Sequence, residues 1–443
     1  MTPPRPRDRR SRTTAVAALL CAAVGAGIAA AQVVDGPLRV ASVQGSGQSS
    51  GPDVTVISLQ DTANYGALGD LQAYSVGTTS CNVGDQPVWW CDDDREYCED
   101  TQHPVIAQNL YRLKDGRFEQ LGASWLKHGF FSVNQTNASC GASCGPTLGG
   151  DQLGVGCTDP YSASLNGNRS YLGPRSEVNG ATGLFPFPPT QPPAPQVIDQ
   201  RLQVTRSDLD PALNQGALYW VEGHYVAADD AAAGNGLNNA SYRRVTVAAG
   251  TLDLSLTGST FREQPAIAAW PAVDPEVELM TVDTQYGPLP TERFHVARKV
   301  TGLGDGTYHY EYAVHNLNSN RGARALVVTF PGPTPITDVG FRDVDSHSGE
   351  PYDTTDWETA VSADSVTWFT DTCDVAPNAN ALRWGTMYSF WFDASRPPAG
   401  IVHSLDLFEV LEPETILFEF PGVLLTEGFE SGDAGRFEQN PSN

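Results

Sequence analysis

From residue 53 onward, apolar and polar residues alternate in short runs broken by Gly, Pro, Asn and Asp. Neighbouring side chains of an extended strand point to opposite faces, so such runs read as β-strands. DVTVISL opens the series at residue 53, and RLQVT, ALYWVEGHYVA and SYRRVTVAA continue it after residue 200. FHVARKV and TYHYEYAVHNL flank GLGDG, a strong hairpin signal with the turn centred on Gly304. Phe294, Val296 and Val300 share one face, as do Tyr308, Tyr310, Tyr312 and Val314. ALVVTF, SVTWFT, LRWGTMYSFWF, IVHSLDLFEVL and ILFEF complete the set. A 3.6-residue period is almost missing. Only HPVIAQNLYRLKDG (103–116) suits a short helix, and it suits a pair of strands equally.

The expected fold is mainly β: a β-sandwich C-terminal domain plus a loop-rich, disulfide-stapled β N-terminal domain. The basic start MTPPRPRDRRSRTT, the apolar AVAALLCAAVGAGIAA and the small residues before Gln32 read as a secretory signal peptide over 1–31. A Gly/Ser/Gln-rich flexible leader takes 32–52, the stapled β domain 53–255 and the sandwich 256–422, followed by an acidic Gly-rich tail, 423–443. LFPFPPTQPPAPQ (184–196) is a Pro-rich segment, either a boundary or an arm across the surface.

Export changes the reading of the cysteines. Seven follow the signal peptide, and six of them lie between Cys81 and Cys157. In an oxidising compartment these read as disulfides. Six cysteines permit 15 pairings. The local spacing favours Cys91 with Cys98, and Cys81 tied to the group Cys140–Cys157. Cys373 is left over, expected as a free buried thiol.

Charge narrows the partners. The chain has 27 basic and 52 acidic residues. Removing the five Arg and one Asp of residues 1–31 leaves 22 and 51, a net charge near −29. Such a polyanion repels nucleic acid and anionic lipid. No later run is long and apolar enough for a membrane span. The expected partner is an extracellular ligand or surface.

Four strings carry a wider likeness: GDLQAYSVGTTSCN, QHPVIAQNLYRLKDGRFEQLGASWLKHGFF, LGPRSEVN and ANALRWGTMYSFWFDA. Together they resemble an uncharacterised family of secreted β-rich proteins from environmental bacteria, over most of the chain. The tail LLTEGFESGDAGRFEQN is similar to the GFESGD-type endings of secreted bacterial proteins. The resemblance implies secretion and β structure and supplies no activity or catalytic residue.

Candidate chemistry is sparse. In FRDVDSHSGEPYD (341–353), Asp343, Asp345 and His347 alternate, so an extended backbone sets all three on one face, with Glu350 close behind as a fourth ligand. Two carboxylates and an imidazole suit one divalent metal ion, Zn²⁺ or Mn²⁺ ahead of Ca²⁺. The alternative is the polar rim of a sheet. A second constellation is His295, Glu311 and His315 on the non-aromatic face of the hairpin, with His295 expected opposite Ala313; a solvated outer face is the competing reading. Lys127 and His128 in SWLKHGFF, with His224 as a further partner, are the candidates for acid–base catalysis, against a strand end facing water.

GASCG (141–145) matches the serine-elbow pattern but sits in a Cys/Gly loop without the strand and helix such an elbow needs. RSEV (175–178) resembles an arginine–glutamate strand motif of polysaccharide lyases without its companions. The leading reading is a secreted non-catalytic extracellular or cell-surface protein that binds a ligand, glycan or neighbouring surface, with a structural metal. A metal-dependent secreted enzyme acting on polysaccharide or another polymer is the alternative.

Overall fold

The structure, a computed structural model, describes residues 49–344 and 348–421. The segments read as signal peptide and tail, most of the leader, and the pair Asp345 and His347 therefore lie outside the described residues. Four antiparallel sheets dominate, and among the described residues no helix exceeds the six residues of Ala228–Ala233. The ambiguous stretch after His103 is a strand, Val105–Lys114, paired with Arg117–Ala123. Residues 105–113 of that strand are all buried, so its two faces carry no polar–apolar contrast and its period is blurred.

The first half stacks two sheets. In one, Leu71–Asn82 pairs with Val54–Leu68, Cys157–Tyr161 and Leu202–Thr205. The other runs from Leu172–Gly173 through Leu126–His128, Val105–Lys114, Leu218–Val226 and Ala240–Val247 to Leu254–Phe261. The pairing of this last strand carries the first half to Phe261. Val54, Val56, Leu59, Tyr74, Val76, Leu110, Val221 and Tyr225 fill the space between the sheets.

In the second half, one sheet orders Glu278–Thr284, Glu292–Gly302, Tyr308–Asn316, Thr386–Ala394 and Ile336–Arg342. The facing sheet centres on Ala323–Thr329, between Ser365–Phe369 and Val402–Leu407. The aromatic face of the hairpin enters the core, where Tyr310, Tyr312 and Phe392 meet Leu326, Trp368 and Phe418. The hairpin register differs from expectation. His295 lies opposite His315, and Ala313 opposite Ala297. The turn centres on Asp305, because its carboxylate accepts the Thr307 N–H at 2.9 Å and left-handed Gly304 and Gly306 flank it.

The other face of the hairpin is covered over most of its length, leaving His309 near the turn partly exposed. Ala297, Ala313 and Met387 pack against Tyr111, Phe118, Trp220 and Trp270 of the first half. Two small residues opposite one another let the Val105–Ala123 hairpin settle closely on the sheet. This contact buries His295, Glu311 and His315.

Three disulfides staple the first half: Cys91–Cys98, Cys81–Cys140 and Cys144–Cys157. The first is the expected local staple, and Cys81 does join the later cluster. Cys373 is disulfide-bonded rather than the expected free thiol.

Across the contact between halves, Arg175 is buried and spends its guanidinium on three backbone carbonyls and one side-chain amide. Nε donates to Ser124 O at 2.6 Å, Nη1 to Gly385 O at 3.1 Å, and Nη2 to Gln108 O at 3.2 Å and Asn109 Oδ1 at 2.8 Å. Arg175→Ala takes the Nε donor from Ser124 O and the guanidinium from Asn109 Oδ1, while Gln108 O keeps the Ser124 N–H and Gly385 O the Asn109 and Gln120 amides. It should cost about 2–4 kcal/mol in urea unfolding. Arg175→Lys should recover only part, because an ammonium lacks the planar fork. A loss below about 1 kcal/mol for the alanine variant would contradict this account.

Candidate functional site

The sequence candidates separate in space. Asp343 is buried and accepts a hydrogen bond from the Asn380 side chain. Glu350 accepts from the backbone N–H of Arg175 at 2.6 Å and of Ser176 at 3.2 Å, and burial pushes its pKa up. Both acids thus tie loops to neighbouring structure, while their intended companions Asp345 and His347 lie outside the described residues.

His295 and His315 stack with ring centroids 6.1 Å apart. Neither nitrogen of His315 has a hydrogen-bond partner, nor has Nε2 of His295. Burial holds both imidazoles neutral, lowering His315 to about 3 and His295 well below its ordinary range. Glu311 turns instead to Arg117, whose Nε and Nη2 approach at 2.9 and 2.6 Å. Across the same contact, His224 packs edge-on against Trp384, and burial lowers its pKa to about 4.

Lys127 and His128 are neighbours on a strand and so point to opposite faces. His128 Nδ1 meets His103 Nε2 at 2.9 Å, and His103 Nδ1 meets Cys91 O at 2.9 Å. A carbonyl only accepts, so His103 donates from Nδ1, and His128 donates onward to His103. Phe185 and Phe187 of the Pro-rich segment cover both rings, which makes that segment an arm laid over the fold. On the other face, the Lys127 Nζ lies 4.0 Å from the Tyr171 ring centre and 4.5 Å from that of Phe130, without a hydrogen-bond partner. Burial lowers its pKa to about 7.

One group of ligand type was not legible in the sequence. His309, Asp338 and Asp393 offer ligand atoms within 4.8 Å of one another, on three adjacent strands of the second half. His309 pairs opposite Asp393, and Asp393 opposite Thr337. A bulge between Thr337 and Gly340 then puts Asp338 in a left-handed conformation, φ 50°. Nδ1 of His309 meets Asp393 at 2.6 Å, and Nε2 meets Glu311 at 2.9 Å. Hydrogen bonding to Glu311, then to Asp393, raises the His309 pKa against the effect of burial. Beside the group, Trp391 lies on Gly340, where a Cβ would come within 2.0 Å of the ring, and carries the Arg117 guanidinium 3.3 Å from its centre.

No protein-family model and no curated protein matches the chain. Among solved structures, the serine-rich repeat adhesion glycoprotein Srr1 of Streptococcus agalactiae aligns with 85% of this chain and 100% of its own, at 6% identity and a TM-score of 0.20. The C-terminal domain of the AgI/II polypeptide BspA of Streptococcus agalactiae aligns with 83% of this chain and 99% of its own, at 8% identity and a TM-score of 0.16.

Burial lowers the pKa of six described histidines: His103, His128, His224, His295, His315 and His403. Imidazole ¹³C and ¹⁵N shifts at pH 5 should therefore show these six neutral in the native protein. Unfolded histidine protonates near pH 6.5, whereas folded His315 stays neutral to about 3. Between those values only the unfolded state takes up the proton. The wild type should thus lose stability relative to His315→Leu as pH falls from about 6.5 towards 3. A stability difference independent of pH would refute the assignment.

Proposed function

We propose that this is a secreted, non-catalytic extracellular protein, whose outer surface engages a ligand, a glycan or a neighbouring surface. One observation carries the reading. Lys127, His128, His224, His295 and His315, the side chains best suited to acid–base chemistry, are each at most 5% exposed. A general base has to come within hydrogen-bond reach of the proton it removes. These groups face aromatic rings and one another instead, and burial favours the neutral form of each.

Three disulfides suit an oxidising compartment, and all three lie between Cys81 and Cys157. The formal charge of −25 disfavours polyanionic partners and points to a neutral or cationic ligand surface. Among the described residues no helix is long and apolar enough to cross a membrane.

Purified protein incubated with cellulose, alginate and chitosan provides the test, with both retention and new chain ends measured. Retention on the neutral or cationic polymer, with no new reducing or unsaturated ends, is the expected result. Release of chain ends that His128→Gln or His224→Gln abolishes would overturn the non-catalytic reading.

A further inference from the structure

We propose that His309, Asp338 and Asp393 form a divalent-cation site on the second sandwich, with Glu311 and Arg117 as its supporting residues. The site stands independently of the binding role proposed above, since its three ligands lie on one sheet. Its ligand atoms already lie within 4.8 Å of one another. They come from the strands Tyr308–Asn316, Thr386–Ala394 and Ile336–Arg342, which are consecutive in the sheet.

The imidazole is what sets this group apart from an ordinary patch of acids. A histidine that ligates a metal through one nitrogen characteristically donates its other N–H to a carboxylate, which fixes the ring and its tautomer. Here Nε2 of His309 is anchored on Glu311 at 2.9 Å, and Arg117 clamps Glu311 through two nitrogens. The supporting arrangement of a metal-bound histidine is thus in place, with Nδ1 turned towards Asp393. An ion taken up here displaces the proton shared between Nδ1 and Asp393, so that both become ligands, and Asp338 supplies the third.

Asp338 and Asp393 are respectively exposed and half-buried, so an ion has a route in from solvent and water can complete its coordination. One imidazole with two carboxylates suits Mn²⁺ or Zn²⁺ better than Ca²⁺, which takes oxygen ligands. Bound there, the ion links three strands, among them the edge strand Ile336–Arg342, where the bulge interrupts the regular pairing.

The full purified chain, stripped with chelator and dialysed, is titrated with MnCl₂ alone. Calorimetry gives the stoichiometry, and imidazole NMR shows which histidine the paramagnetic ion broadens. One ion per chain is expected, with the His309 resonances broadened first and a higher melting temperature in the loaded protein. Asp338→Asn, at an exposed position where Asn tolerates the left-handed backbone, should weaken binding at least about tenfold without unfolding the protein. Glu311→Gln should weaken it about ten- to a hundredfold by loosening the ring. Asp345→Ala should leave binding unchanged. The proposal is overturned if millimolar Mn²⁺ neither binds nor broadens His309. It is equally overturned if broadening falls on His347 and Asp345→Ala abolishes binding while Asp338→Asn does not.

Discussion

A buried guanidinium bridges the contact that joins the two halves, beside side-chain bonds such as Ser389 to Phe118 O and Trp384 to Val178 O. Arg175 reaches backbone carbonyls of Ser124 and Gln108 in the first half and of Gly385 in the second. A carbonyl dehydrated at such a seam costs free energy unless a donor finds it. Arg175 supplies several donors from one rigid plane, and Glu350 in turn holds the backbone that presents it. With the seam satisfied, the apolar patch around Trp220, Trp270 and Ala313 can close.

That closure decides the chemistry of the histidines. His309 and His315 lie on the same face of one strand, six residues apart, yet their pKa values move in opposite directions. The Val105–Ala123 hairpin covers His315 and removes water without offering its ring a partner. Cover stops at the hairpin tip, where Arg117 reaches Glu311, and beyond it His309 keeps two carboxylates and access to solvent. Identical side chains thus become an inert core element in one place and a candidate ligand in the other. Dehydration and the nearest charges account for the difference.

Disulfides do comparable work where the strands are short. Residues 129–157 contain little regular structure beyond two-residue strands and a 3₁₀ turn. There Cys81–Cys140 and Cys144–Cys157 bind the loops to the long strand Leu71–Asn82 and to its neighbour Cys157–Tyr161. Cross-links of this kind restrict the unfolded chain, which offsets the conformational entropy that ordering such loops costs.

The two-residue period by itself determined the β class, the aromatic core face of the hairpin and the strands around it, because that period is a property of neighbouring residues. Local spacing likewise pointed to Cys91–Cys98, seven residues apart. Register was already less legible: an Asp carboxylate on the Thr307 amide moved the turn from Gly304 to Asp305. Only the tertiary structure decided that most of the second face of the hairpin would be buried, since this depends on Ala297 and Ala313 meeting Tyr111 and Phe118, more than a hundred residues away. It alone brought Asp338 and Asp393 to His309, through pairings and a bulge that no window of sequence contains. Alternation says which side chains share a face, but what that face meets is settled by packing between distant segments, and with it whether a histidine is a ligand or part of the core.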